Sequence, residues 1–323
     1  MAKGRWRQVF GGFEEIGVLG ALLALCVAFT LTTDAFLQAD NLLNVARQAS
    51  YFGIMATGMV FVLTLGEVDL SVGSILTLVN VITAVALRDG VPTVAAVFLG
   101  LGTGAVCGLL NGALSVLLRI PMIIVTLGTM SIYRGLALVV SKATPISQFP
   151  KDSFLFQALG GELTLGGEGG GVPASVIAML LVGACGYVIL NRTVFGRRVQ
   201  AIGSNLQAAR FSGIRIVRYR LGVMTLMGTI AALAGILALA FLQSADPSTG
   251  PGYELFVIAS AVIGGTALTG GSGSILGAIL GALIIAVIRN GLVLAGLTAY
   301  WGTMVTGALI IAAVAVDYLI KKR

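Results

Sequence analysis

Residues 51–87 read YFGIMATGMVFVLTLGEVDLSVGSILTLVNVITAVAL. Two apolar runs, 51–66 and 70–87, are joined by a turn too short for a soluble loop. Each approaches the length of about 20 residues that a membrane-spanning helix needs. The junction carries two carboxylates, Glu67 and Asp69. A charge at mid-bilayer costs roughly 2.5–3.5 kcal/mol on insertion scales, so the junction must be a turn at the membrane surface, or be buried in protein, or line a polar cavity. Two readings coexist. In the first, Asp69 caps the following helix through N–H groups near Ser71 and Val72. In the second, the segment is a broken helix whose open N–H groups and hydroxyls face a polar path.

The pattern recurs along the chain. Ten apolar stretches stand at roughly 16–33, 51–66, 70–87, 92–118, 121–140, 172–190, 221–241, 255–270, 274–289 and 301–320. Composition agrees: 57 % of the 323 residues are hydrophobic, only 10 % are charged, and 45 are glycine. A soluble domain carries about 25 % charged residues. The expectation is a single all-α membrane domain over 1–323, with about ten transmembrane helices, some discontinuous. The first stretch reads as an uncleaved span rather than a signal peptide, because nine more follow it. Cys26, Cys107 and Cys185 all fall in apolar stretches and read as small core hydrophobes.

Charge placement sets the topology. The head (Lys3, Arg5, Arg7), Arg119, the segment 191–220 and the tail (Lys321, Lys322, Arg323) hold fourteen of the 20 basic residues. The opposite side holds five: Arg47, Arg88, Lys142, Lys151 and Arg289. Positive residues stay inside, which places both termini of a multi-pass membrane protein in the cytoplasm. Segment 191–220 becomes the main cytoplasmic loop, with seven arginines and no acid. Within it, helix formers between Gly203 and Gly213 predict a short surface helix, started by Ser204 or Asn205 and ended by Gly213. The Gly-rich segment 141–171 is expected to be an irregular external loop.

Glycine spacing predicts packing faces. Gly100, Gly104, Gly108 and Gly112 follow each other at four-residue intervals, as do Gly273, Gly277 and Gly281. The glycine cluster 264–273 lacks the lysine of a phosphate-binding loop, and no GxxxxGK[ST] occurs. The chain has no histidine, which excludes a Ser-His-Asp triad, a His-ligated zinc site and an HExxH helix. Cofactor and metal chemistry find no motif. An echo, Gly73-Ser74-Ile75-Leu76 against Gly273-Ser274-Ile275-Leu276, raises an internal duplication.

Several segments, taken in order, resemble the permease subunits of ribose-, xylose- and galactoside-type ABC importers, within the branched-chain amino-acid and ribose permease superfamily. They are Asp69-Leu70-Ser71-Val72-Gly73-Ser74, Thr126-Leu127-Gly128 with Arg134-Gly135, and Phe195-Gly196-Arg197 with the stretch from Ala201 to Ile214. Gly252-Tyr253-Glu254-Leu255, Gly264-Gly265-Thr266 and Asn290-Gly291-Leu292 complete the set. Glu67 and Val68, Phe256 and Ser272 depart from the common pattern and leave the cargo open.

The resemblance implies a non-enzymatic subunit that moves a monosaccharide by alternating access. It implies three partners: a cytoplasmic ABC ATPase, an extracytoplasmic sugar-binding protein and a second permease, taken as another copy of this chain. Coupling to the ATPase falls on Arg197, Gly203, Asn205, Ala208, Ala209, Ser212 and Gly213. Candidate path residues at broken helices are Asp69, Ser71, Ser74, Asn111, Thr126, Thr266, Ser274 and Asn290. Three other readings stay open: the same architecture carrying an amino acid, nucleoside or signal molecule; an ion-coupled transporter using Glu67 and Asp69; and, last, a membrane enzyme.

Overall fold

The computed structural model describes residues 3–150, 154–163 and 171–321. The tail residues Lys322 and Arg323 and parts of the 141–171 loop (151–153 and 164–170) lie outside the described residues. In chain order the helices are α1 (Lys3–Thr32), α2 (Ala39–Thr64), α3 (Val72–Arg88), α4 (Thr93–Leu118), α5 (Met122–Ser141), α6 (Phe154–Gly160), α7 (Ala174–Arg192), α8 (Val194–Ser204), α9 (Leu206–Phe211), α10 (Ile216–Leu242), α11 (Tyr253–Ile263), α12 (Ile275–Leu294) and α13 (Ala299–Lys321). Ten of them occupy the ten apolar stretches. Six are long and apolar enough to cross a membrane by themselves: the apolar part of α1 from Glu15, then α4, α5, α7, α10 and α12.

Three expectations need correction. First, the loop expected to be irregular holds local structure: β1 (Glu162–Leu163) pairs antiparallel with β2 (Val172–Pro173), and α6 precedes them. Second, α2 starts at Ala39 and so carries Arg47 on its polar first half. That charge is tolerated because Glu162 Oε1 accepts from it at 2.7 Å and the Phe241 ring lies 3.9 Å below it. Third, the stretch 255–270 is helical only to Ile263. Beyond it Gly265, Gly270 and Gly271 take positive φ, and the chain runs irregularly to Ser274, which begins α12.

α2 lies at the centre, with every residue from Phe52 to Thr64 buried. α3, α10, α11 and α12 pack around it or its neighbours, while α1 packs mainly on α12. The closest helix pair is α4 with α10. A Cβ on Gly104 would strike Gly228 O and Ala232, and one on Gly108 would strike Met224 O. The first glycine stripe is therefore a packing face, as its spacing predicts. The second behaves alike, with Gly277 against Gly264 and Gly281 against Ser260.

The packing partners are paired. α2 packs on α12 as α10 packs on α4, and α2 packs on α11 as α10 packs on α3. The contacts of α3 with α4 and α5 are matched by those of α11 with α12 and α13. Helices α2–α5 thus correspond to α10–α13. The packing pattern is repeated, but the Gly73–Leu76 and Gly273–Leu276 echo does not follow it: α3 corresponds to α11, not to α12.

This correspondence explains the short helices. At about 1.5 Å per residue, α11 is about 16 Å long, half of an about 30 Å hydrocarbon layer. The segment 243–252 carries the chain from the end of α10 back into the bundle before α11 begins, and 65–71 does the same between α2 and α3. The starts of α3 and α11 meet, with Gly73 packed against Gly250.

Candidate functional site

The turn at Asp69 is built by burial. Asp69, Ser71, Asn111 and Thr126 are all 0 % exposed. Asp69 Oδ1 accepts from the Ser71 amide at 2.8 Å and from the Ser71 hydroxyl at 2.6 Å. The Asn111 side-chain amide donates to Ser71 Oγ at 2.8 Å. The Tyr133 hydroxyl lies 3.0 Å from both Asn111 Oδ1 and the Cys107 carbonyl. Thr126 Oγ1 sits 3.4 Å from the Val68 carbonyl. One polar chain therefore ties α3, α4 and α5 to the turn. Asp69 acts one step before the helix, on Ser71, rather than on Val72, while Asp69 Oδ2 has no hydrogen-bond partner. Tyr133 was not singled out from the sequence, where it is one of four hydroxyl side chains in the 121–140 stretch, with Thr126, Thr129 and Ser131.

Glu67 belongs to a different environment. Its carboxylate pairs with the Arg220 guanidinium and joins the turn to the start of α10. The two carboxylates thus divide: one binds a partner at the bundle's end and the other is sealed inside.

The second half of the interior is the start of α11. Thr77 Oγ1 donates to the Thr249 carbonyl at 2.6 Å, and Glu254 Oε1 accepts from the Gly252 amide at 3.1 Å. Glu254 also borders Gly73. Arg134 is exposed on α5. Ser74, 8 % exposed, follows on the first turn of α3.

The remaining candidates lie elsewhere. Ser274 caps α12 by accepting from the Gly277 amide at 3.0 Å, and its hydroxyl donates to Glu15 Oε1 at 2.7 Å. Thr266 Oγ1 accepts weakly from the Ser274 amide at 3.4 Å. Asn290 exchanges side-chain amide bonds of 2.7 and 3.1 Å with Asn41. The eight candidates therefore occupy three places: the Asp69 group, the bonded pair Thr266 and Ser274, and Asn290.

The segment 191–220 holds two short helices where one was expected. α9 is the expected one: Asn205 Oδ1 accepts from the Ala208 amide at 2.9 Å, and Gly213, at φ 76°, ends it. α8 was missed, though Phe195, Val199 and Ile202 are spaced for one helix face, and Val199 and Ile202 are buried. α10 begins at Ile216, five residues before the expected boundary. Gly203 packs directly on the Thr64 carbonyl at the end of α2, and the Gly271 amide donates to the same carbonyl at 2.8 Å. A cleft of about 220 Å³ beside it is lined by Glu67, Gly203, Asn205 and Thr269. Ala209 is buried, whereas Arg197, Ala208, Ser212 and Gly213 are exposed. Phe211 is 90 % exposed, an unpartnered ring on α9 that the sequence reading did not single out.

Comparison with known proteins places these features in a family. Residues 41–314 match the family described as branched-chain amino acid transport system / permease component. The chain is 39 % identical to the ribose import permease protein RbsC of Bacillus subtilis (strain 168), over 95 % of this chain and 94 % of that one. Identity to the ribose import permease protein RbsC of Escherichia coli (strain K12) is 36 %, covering 94 % and 93 %. Identity to the xylose transport system permease protein XylH of the same organism is 33 %, covering 97 % and 95 %. No solved structure matches the chain. It is a multi-helix membrane protein, and it belongs to the branched-chain amino acid transport system / permease component family.

Proposed function

We propose that this chain is the permease of a binding-protein-dependent ABC importer and that its cargo is a pentose- or hexose-like sugar. The similarity to ribose and xylose permeases over almost the whole of each chain carries this reading. Ten spans with both termini cytoplasmic are the reading that the ten helices on apolar stretches and the basic bias of the head, Arg119, segment 191–220 and tail support. A cytoplasmic ATPase supplies energy, an external binding protein supplies selectivity, and a second copy of this chain completes the path.

The geometry supports a division of labour. The starts of α3 and α11 meet inside the bundle, so two positive helix ends face one region. Asp69, Ser71, Ser74, Asn111 and Thr126 hold the α3 side of it. Arg134 extends the polar surface onto the exposed face of α5. An arginine within a span faces a cavity or another polypeptide, not lipid, so this face meets the second copy. Thr266, Ser274 and Asn290 steady α12, which packs on α2.

Segment 194–213 docks on the ATPase through Arg197, Asn205, Ala208, Ser212 and Phe211. Its displacement reaches the interior through Gly203, which presses on the end of α2 and on the 264–274 loop. Reconstitution of the chain with its ATPase and binding protein tests the reading: sugar should stimulate ATP hydrolysis. If an amino acid or nucleoside stimulates it instead, the architecture stands and the cargo changes. Uptake by this chain alone, driven by an ion gradient, would overturn the proposal.

A further inference from the structure

One cavity lies away from the Asp69 network. It is an open groove of about 1000 Å³ between the α4–α5 turn and the start of α10. Five arginines line it: Arg119, Arg210, Arg215, Arg218 and Arg220. Arg220 is bonded to Glu67; among the described residues the other four have no ion pair. The Nε of Arg220 is buried without a hydrogen-bond partner. Arg119 ends α4 in the left-handed conformation, at φ 57°, which turns the chain sharply at the mouth of the groove.

The walls between these charges are apolar. Val116, Ile120, Val217 and Leu221 line the groove. Its rim runs onto the outward face of α4, where Leu117 and Leu118 are 76 % and 59 % exposed. A concentrated positive charge opening onto a lipid-facing apolar surface matches one amphiphile, an anionic headgroup with acyl chains attached. A docking protein would find Phe211 and the exposed face of α9 beside it, but would leave the apolar rim on α4 uncovered.

We infer that this groove binds the phosphate headgroup of an acidic phospholipid, with Arg119, Arg215 and Arg218 as ligands and the α4 leucines against its acyl chains. The site is separate from the cargo path and does not depend on which solute is carried.

The test is thermal unfolding of the purified chain in neutral detergent with phosphatidylglycerol, phosphatidylcholine or inorganic phosphate added. Phosphatidylglycerol should raise the midpoint by several degrees, phosphatidylcholine should not, and high salt should erase the rise. The triple variant Arg119→Gln/Arg215→Gln/Arg218→Gln should lose the rise while keeping its basal midpoint. If that variant does not fold, Arg218→Gln alone should weaken the response at least several-fold in lipid concentration. An equal rise with both lipids, a full rise with inorganic phosphate, or an undiminished rise in the variants would overturn the assignment. So would variants that lose the ATPase subunit while keeping the lipid response.

Discussion

The hydroxyl of Thr77 donates to the carbonyl of Thr249 across 2.6 Å, joining the first turns of α3 to the irregular segment before α11. These residues lie in the two halves of the repeated packing pattern and are 172 positions apart in sequence. Thr77→Val removes one buried hydrogen bond and should cost about 1 kcal/mol. Gly250→Val should cost more, because Gly250 holds φ 101° and packs on Gly73 and Thr77. Thermal unfolding of both variants checks this order; a Gly250→Val protein as stable as the parent would show that the two helix starts do not meet as described.

Asp69 is expected to be needed for folding before it is needed for transport. Asp69→Ala strands the Ser71 amide and hydroxyl in the interior, at about 1–3 kcal/mol for each unpaired group. Asp69→Asn keeps an acceptor oxygen and should recover most of the stability. The yield of monodisperse protein and its unfolding midpoint measure this. Equal behaviour of the two variants would remove the network from the account.

The α4–α10 contact should distinguish neighbouring glycines on one helix. Gly108→Leu drives a side chain into the Met224 backbone and should abolish folding or cost about 3 kcal/mol or more. Gly102→Leu meets nothing within 4 Å and should be tolerated. Expression and insertion of the pair provide the comparison.

Much of this was legible in sequence. Apolar length placed the ten main helices, and the four-residue glycine spacing named the α4 face before its partner was known. Asn205 and Gly213 bounded α9 because cap and C-terminal glycine chemistry is local. Long-range pairing was not legible. Nothing near Tyr133 says that Asn111 and Cys107 wait for its hydroxyl, and nothing near Arg47 announces Glu162. The tetrapeptide echo misled because it stands at the starts of α3 and α12, helices whose packing partners do not match. α8 was missed because its buried face, Val199 and Ile202, is small and its remainder is strongly basic.

Phe211 should behave as a binding residue without a folding role. At 90 % exposure, Phe211→Ala should leave the unfolding midpoint unchanged. Loss of an aromatic anchor should weaken ATPase association by about 2 kcal/mol, roughly 30-fold. Asn205→Trp with Gly213→Trp should uncouple hydrolysis from uptake while insertion persists. Co-purification and coupled assays separate these effects.

The central claim is that this chain is a path worked by another subunit through segment 194–213. Uptake of labelled ribose or xylose into proteoliposomes, with ATP and the ATPase on the cytoplasmic side and the binding protein outside, tests it most directly. The expected result is uptake that needs all components and falls to background in the Asn205→Trp/Gly213→Trp variant. Uptake that persists without ATPase, or unchanged in that variant, would contradict it.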